Sequence, residues 1–238
     1  MITVPAQEFA YRSVLVVCAH PDDESFGLGA VISTFTGQEI KTQVLCFTHG
    51  EVSPLGADDA DLAATRAQEL HDAATVLGVR SVHLRSYPDG ELSKTSIEDL
   101  RREVVEVAAA ADQIDCLVVF DEGGITGHPD HQRATEAALA SAQQVGVPVL
   151  AWALPASIAA TLNDEFEAGF IGREPSEIDL QIDVDRRLQH EAISCHASQS
   201  THNPVLWRRL ALQGRVESLR WLNAPLRHPD RFSKPDPA

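Results

Sequence analysis

Six consecutive residues near the start of the chain, Ala19-His20-Pro21-Asp22-Asp23-Glu24, put one imidazole and three carboxylates into a single short stretch. A second run, Asp121 to His131, ends in His128-Pro129-Asp130-His131. Imidazole nitrogens and carboxylate oxygens are donors that catalytic zinc takes, typically as three protein ligands with a further position open for water. His20, Asp23 and His131 supply such a set. A metal held there lowers the pKa of water from about 15.7 to roughly 7 and so provides a nucleophile at neutral pH. Asp22, beside a ligand, is placed to take the water's proton as general base. His128, one turn from His131, is placed either to stabilise an oxyanion or to protonate a leaving nitrogen. Asp130 is placed to orient an imidazole and set its tautomer. The expected cofactor is one divalent metal ion per chain, zinc first, although iron(II) or cobalt would accept the same donors.

Each run also has an ordinary explanation. Pro followed by Asp and Glu is good chemistry for the start of a helix, and His-Pro-Asp-His can be a solvated turn. It is their joint presence at like positions of alternate strands that points to a metal site. A third fragment, His228-Pro229-Asp230, lacks a second His and reads as chance. Gly27-Leu28-Gly29-Ala30 fails as a dinucleotide loop, because the third glycine is missing and the acidic turn before it repels phosphate. His49, His71, His83, His190, His196 and His202 have no partner at ligand spacing and read as surface or packing residues.

The elements that position these residues alternate over the first two thirds of the chain. Apolar runs at Val14–Cys18, Gln43–Phe47, Ser81–Leu84, Cys116–Phe120 and Val147–Ala151 predict buried strands. Phe26–Phe35, Asp59–Leu77, Ile97–Ala111 and His131–Val145 have helical periodicity, with Gly78 and Gly146 as stops. This alternation predicts a Rossmann-like α/β three-layer sandwich with a mostly parallel sheet and a small C-terminal elaboration. Both acidic runs follow strands, where sites of parallel sheets lie. Beyond Ala153 the pattern weakens. Leu154–Glu174 reads as loop and short helix, Ile178–Val184 as a half-exposed strand, and Asp185–Ala197 and Pro204–Leu222 as helical. One domain is expected over 1–223, with a frayed tail over 224–238.

The chain has 238 residues, 44% of them hydrophobic, and a formal net charge of −16. No basic stripe suited to nucleic acid is visible, and an anionic membrane would repel the chain. The four cysteines form no Cys-x-x-Cys pair and read as buried reduced thiols. No signal peptide is apparent. The expected partner is a small molecule, with room for a homo-oligomer, and the expected compartment is the cytoplasm.

Ala19–Glu24 taken with His128–His131 resembles the PIG-L/LmbE family of zinc-dependent N-deacetylases. Thr48-His49-Gly50-Glu51, Arg66-Ala67-Gln68-Glu69-Leu70, Leu77-Gly78-Val79, Tyr87-Pro88-Asp89-Gly90-Glu91-Leu92 and His196-Ala197-Ser198-Gln199 extend the resemblance over roughly Val14 to Gln199. It implies a Rossmann-like fold and removal of the N-acetyl group from an N-acetylglucosamine conjugate. It also implies that His20, Asp23 and His131 ligate zinc, that Asp22 is the general base, and that His128, with Asp130 beside it, is the second catalytic group. Arg66 and Asp89 match positions that contact substrate hydroxyls or the attached group. Thr126 departs from the mycothiol branch, where a tyrosine is common. Two alternatives stand beside this reading: an amidase that removes a larger acyl group, as from a thiol S-conjugate, and a non-enzymatic metal-binding regulatory protein. A spare carboxylate at Asp22 argues against the latter.

Overall fold

A computed structural model describes residues 9–111 and 113–223; the expected tail over 224–238 lies outside them. Val14, Leu15, Val16 and Val17 have no face toward water, as expected of a strand with helices packed on both sides. They form β1 (Ser13–Cys18), which leads through α1 (Asp23–Phe26) and α2 (Gly29–Gly37) to β2 (Lys41–Cys46). Then come α3 (Leu62–Val76), β3 (Ser81–Leu84), α4 (Ile97–Ala110), β4 (Cys116–Phe120), α5 (Gly124–Gly127), α6 (Pro129–Val145) and β5 (Val149–Ala153). The last third holds α7 (Ala156–Phe166), β6 (Leu180–Asp183), α8 (Arg187–Cys195), α9 (Ala197–Ser200), α10 (Pro204–Gln213) and β7 (Val216–Asn223).

The seven strands form one sheet in the order β3-β2-β1-β4-β5-β7-β6. The first five run parallel, and β7 runs antiparallel to both β5 and β6. Val14, Val16 and Cys18 pack on one face with Ile32 and Phe35 of α2 and Ala192 of α8. Leu15 and Val17 pack on the other with Leu100 and Val104 of α4 and Ala138 of α6. From β1 the chain crosses to β2 on one side and later returns through β4 on the other, so the order reverses between these neighbours. A crevice opens at the carboxyl ends of strands at such a point, and both acidic runs follow those two strands. They lie on adjacent strands rather than alternate ones.

The α/β class is as expected, and several boundaries differ. The helix expected over Phe26–Phe35 is broken at Gly27–Leu28. Gly27 lies against Phe120, where an added Cβ would come within 2.3 Å of the ring. The fifth strand starts two residues later than expected, because Pro148 has no N–H for a ladder; its carbonyl instead accepts from Leu117. Leu154–Glu174 contains an 11-residue helix, α7. The helical reading of Pro204–Leu222 holds only to Gln213. Gly214 (φ 55) turns the chain, and the rest is strand β7. Glu217, fully buried in that strand, breaks the apolar alternation by which a strand is read.

Cys18, Cys46 and Cys116 are buried and all four thiols are free. Among the described residues no helix is long and apolar enough to cross a membrane.

Candidate metal centre and catalytic pocket

The turn after β1 is built to hold two carboxylates in different roles. Asp23 folds back on the strand end, where its Oδ2 accepts from the backbone N–H groups of Ala19 (3.0 Å) and His20 (2.9 Å). Its Oδ1 faces His131 Nε2 at 3.1 Å. Asp22 takes the left-handed conformation with φ 114, which is costly for a residue with a Cβ. Three contacts fix it there. Its N–H donates to Glu24 Oε2 at 2.9 Å, its carbonyl accepts from Phe26 N at 2.7 Å, and its Oδ2 accepts from Arg66 Nη2 at 2.9 Å.

Donor atoms of His20, Asp23 and His131 lie within 4.8 Å of one another. His20 Nδ1 and His131 Nε2 are 3.1 Å apart. The far nitrogen of each ring is occupied by an acceptor: His131 Nδ1 by the Gly124 carbonyl at 3.2 Å, and His20 Nε2 by Asp89 Oδ1 at 3.1 Å and Asp130 Oδ2 at 3.4 Å. Those acceptors place the ring protons on the outside, so two lone pairs and a carboxylate oxygen converge on one point. This donor set fits a divalent metal with an open position. The acids around His20 favour positive charge there: burial works against it, but Asp130, Asp89 and Asp23 raise its pKa to about 10.

His20, Asp89 and Asp130 form a second, overlapping donor group, and both acids are engaged by backbone N–H groups. Asp130 is fully buried and also accepts from the N–H groups of Gly90 (2.8 Å) and Leu92 (3.1 Å). Asp89 Oδ2 accepts from Val52 N at 3.0 Å. Asp130 therefore orients His20, from the other motif, instead of its sequence neighbours. Its backbone N–H donates to His128 Nδ1 at 3.3 Å, which leaves the His128 proton on Nε2. Burial, then the charges of His131 and His20, lower the His128 pKa, so this ring is a neutral hydrogen-bond donor at pH 7. Burial raises the Asp22 pKa, Arg66 opposes it and Asp23 adds to it, leaving Asp22 at about 6.

Arg66, matched on sequence to substrate contact, is buried and donates to the Pro21 and Gly50 carbonyls as well as to Asp22. Gly50 (φ 66) makes this possible, since a Cβ there would lie 2.1 Å from Arg66 Nη1. Asp121 stands apart from the metal ligands, paired with Arg173 and Arg220.

A cavity of about 380 Å³ opens onto the ligands, with Asp22, Arg66, Asp89 and His128 in its lining. Thr126 lines it too, next to Ile125 at φ 67. Phe26, Phe120, Ile125, Phe170, Val205 and Leu206 form its apolar wall. Sequence reasoning missed the contribution of the last third. His196 Nε2 meets Glu24 Oε1 at 2.7 Å, Ser198 bonds Glu69, and Gln199 holds Ser53 and Leu55 at the cavity mouth. The late His196-Ala197-Ser198-Gln199 motif was the available signal. Arg209, also in the lining, sits in no motif.

A family model described as PIG-L, GlcNAc-PI de-N-acetylase, matches residues 15–142, more than half of the chain. A probable N-acetyl-alpha-D-glucosaminyl L-malate deacetylase 2 of Bacillus anthracis is 28% identical over 219 residues, covering 89% of this chain and 92% of that protein. Three other curated relatives, 30–32% identical, are spanned over only about half their length, whereas a 1D-myo-inositol 2-acetamido-2-deoxy-alpha-D-glucopyranoside deacetylase of Mycolicibacterium gilvum, 30% identical, is matched over 79% of this chain and 80% of that protein. Among solved structures, the zinc-inhibited form of teicoplanin deacetylase Orf2 superposes with a TM-score of 0.68 at 17% identity, covering 90% of this chain and all of that one. A 4-carboxy-2-hydroxymuconate hydratase, GalB of Pseudomonas putida, reaches the same TM-score at 17% identity, covering 91% and 98% of the two chains. These likenesses establish the fold, which carries more than one reaction.

Proposed function

Because the chain belongs to the PIG-L family, we propose that it is a metal-dependent hydrolase that removes the N-acetyl group from an N-acetylglucosamine-containing small molecule. The observation that carries this reading is the convergence of His20 Nδ1, His131 Nε2 and Asp23 Oδ1 beside a constrained, unligated Asp22 carboxylate. The sequence relatives named as deacetylases of amino-sugar conjugates support the substrate class.

His20, Asp23 and His131 would hold a divalent metal, zinc first, which would supply Lewis-acid activation of water and of the acyl carbonyl. Asp22 takes one proton from the attacking water as its oxygen bonds to the acyl carbon. Arg66 holds the accepting carboxylate in place through Oδ2. His128 Nε2–H donates to the oxygen on which charge develops, which suits a ring kept neutral by burial. Asp22 then returns the proton to the nitrogen as the C–N bond breaks, giving a free amine and acetic acid, which ionises to acetate at neutral pH.

The apolar wall of Phe26, Phe120, Ile125, Phe170 and Leu206 favours a second reading, an amidase for a larger N-acyl group. Amine release from a panel of N-acetylglucosamine conjugates, and from the same sugars with longer acyl chains, tests both. Zinc-loaded protein is compared with Asp22→Ala. Release of acetate that requires Asp22 supports the deacetylase. Release confined to longer acyl chains replaces it with the amidase, and no release from either series removes both.

A further inference from the structure

Arg209 is a buried cation without a carboxylate of its own. Its side chain projects from α10 and the residue is 5% exposed, yet it lines the same cavity as the metal ligands. Its Nη2 donates to the Phe26 carbonyl at 2.7 Å and its Nη1 to Gln213 Oε1 at 3.1 Å, and the guanidinium lies 5.2 Å from the centre of the Trp152 ring. All of these partners are neutral. Among the described residues no carboxylate comes within 4.0 Å of it. The acid whose charge it feels, Glu217, is already taken: it holds Arg186 at 2.5 Å and accepts from Trp152 Nε1 (2.6 Å) and Gln213 Nε2 (2.9 Å). Two guanidinium groups therefore share one carboxylate in a buried cluster. Burial is the main cause that brings the Arg209 pKa down to about 10, with Glu217 opposing and Arg186 adding.

A buried charge left uncompensated is strongly unfavourable, and in a chain with a formal net charge of −16 the positive excess of the cluster of Arg209, Arg186 and Glu217 stands out. Arginine is also the side chain whose planar fork suits carboxylate and phosphate. Two of its five N–H donors are used by the protein. Neutral sugar hydroxyls would leave the charge unanswered; an anion would answer it.

We propose that Arg209 is a specificity residue that recognises an anionic group, carboxylate or phosphate, on the part of the substrate attached to the amino sugar. The inference rests on the deacetylase reading above and narrows its substrate to acidic conjugates.

The test uses three N-acetylglucosamine glycosides that differ only in the attached group: methyl, a malyl dicarboxylate, and a glyceryl phosphate. Amine release is followed with zinc-loaded full-length protein. The native enzyme is expected to favour at least one acidic glycoside over the methyl glycoside by about tenfold or more in kcat/KM, the size of a charge-assisted hydrogen bond. Whether carboxylate or phosphate is preferred identifies the source of the anion. Arg209→Gln should bring that ratio close to one. Should this variant not fold, Arg209→Lys, which keeps the charge and loses the fork, should reduce the ratio to an intermediate value. Equal kcat/KM for all three glycosides in the native enzyme overturns the assignment, as does a preference that survives these substitutions intact. No release from any of the three, nor from the wider conjugate panel, instead removes the deacetylase reading on which the proposal rests.

Discussion

Glu24 and His196 are 172 residues apart in sequence, and their side chains meet at 2.7 Å with no exposure to solvent. Glu24 also holds the backbone N–H of Asp22, so the pair ties the C-terminal third to the turn that carries the proposed general base. Removing one partner of a buried ion pair costs about 3–5 kcal/mol. His196→Asn should lower the urea midpoint accordingly, and a variant as stable as the native protein would contradict the pairing.

The same pair sets a pH dependence. Burial alone would lower the His196 pKa, but the charge and hydrogen bond of Glu24, followed by Asp22 and Glu69, raise it. A raised folded value means that the proton stabilises the fold. The contribution is fully present below the unfolded value of about 6.5 and is lost as pH rises through the folded value. The stability gap between native protein and His196→Asn should narrow as pH rises above about 6.5 and through the raised folded value. A gap that widens over that range would show that the histidine is buried neutral.

His131→Ala and Asp22→Ala should fail differently. His131 supplies one of three converging donors, so its loss should remove most of the bound metal. Asp22 points at Arg66 rather than at the donor atoms. Its variant should retain metal and lose about 10²–10⁴ in kcat, the range for a general base. Metal analysis beside turnover separates the two, and equal metal loss in both variants would make Asp22 a ligand.

Gly50→Ala tests whether Arg66 must stay where it is. The new methyl would meet Arg66 Nη1 at 2.1 Å, and a displacement of about 1 Å near reacting groups can cost about 100-fold in rate. We expect a large fall in kcat with metal content retained. Full turnover would show that Asp22 works without its Arg66 clamp.

Gly27→Ala should destabilise the core beside the metal centre. The added Cβ would fall 2.3 Å from Phe120 Cε1, and the Phe120 ring centre lies 5.2 Å from that of His131. Overpacking of this kind costs about 1–3 kcal/mol, to be read from thermal unfolding. An unchanged midpoint would mean that the ring has room to move.

Much of this was legible before the fold was known. The convergence of His20, Asp23 and His131 could be read because these candidate donors cluster in two short runs, each directly after an apolar strand. His196 reads as a surface or packing residue because its acid partner lies far away in sequence, and spacing reports only local neighbours. The role of Asp130 was legible in kind but not in target, since which imidazole it orients depends on how two loops meet. Strand β7 was hidden by buried Glu217, a charge in a position that patterning expects to be apolar. Arg209 gave no signal at all: its significance is the lack of a nearby carboxylate, which exists only in three dimensions.

All the groups assigned to the reaction lie between His20 and His131, whereas the far wall of the cavity and the anchor of Glu24 come from the stretch between His196 and Arg209. The proposed reaction groups are thus confined to the first part of the chain, while the wall they face is drawn from both parts. A change in the later stretch reshapes that wall without replacing a proposed reaction group, provided that Glu24, Glu69 and the Ser53–Leu55 loop keep their partners. A lineage built on this plan can acquire a new substrate by altering one end of its sequence while inheriting the reaction intact.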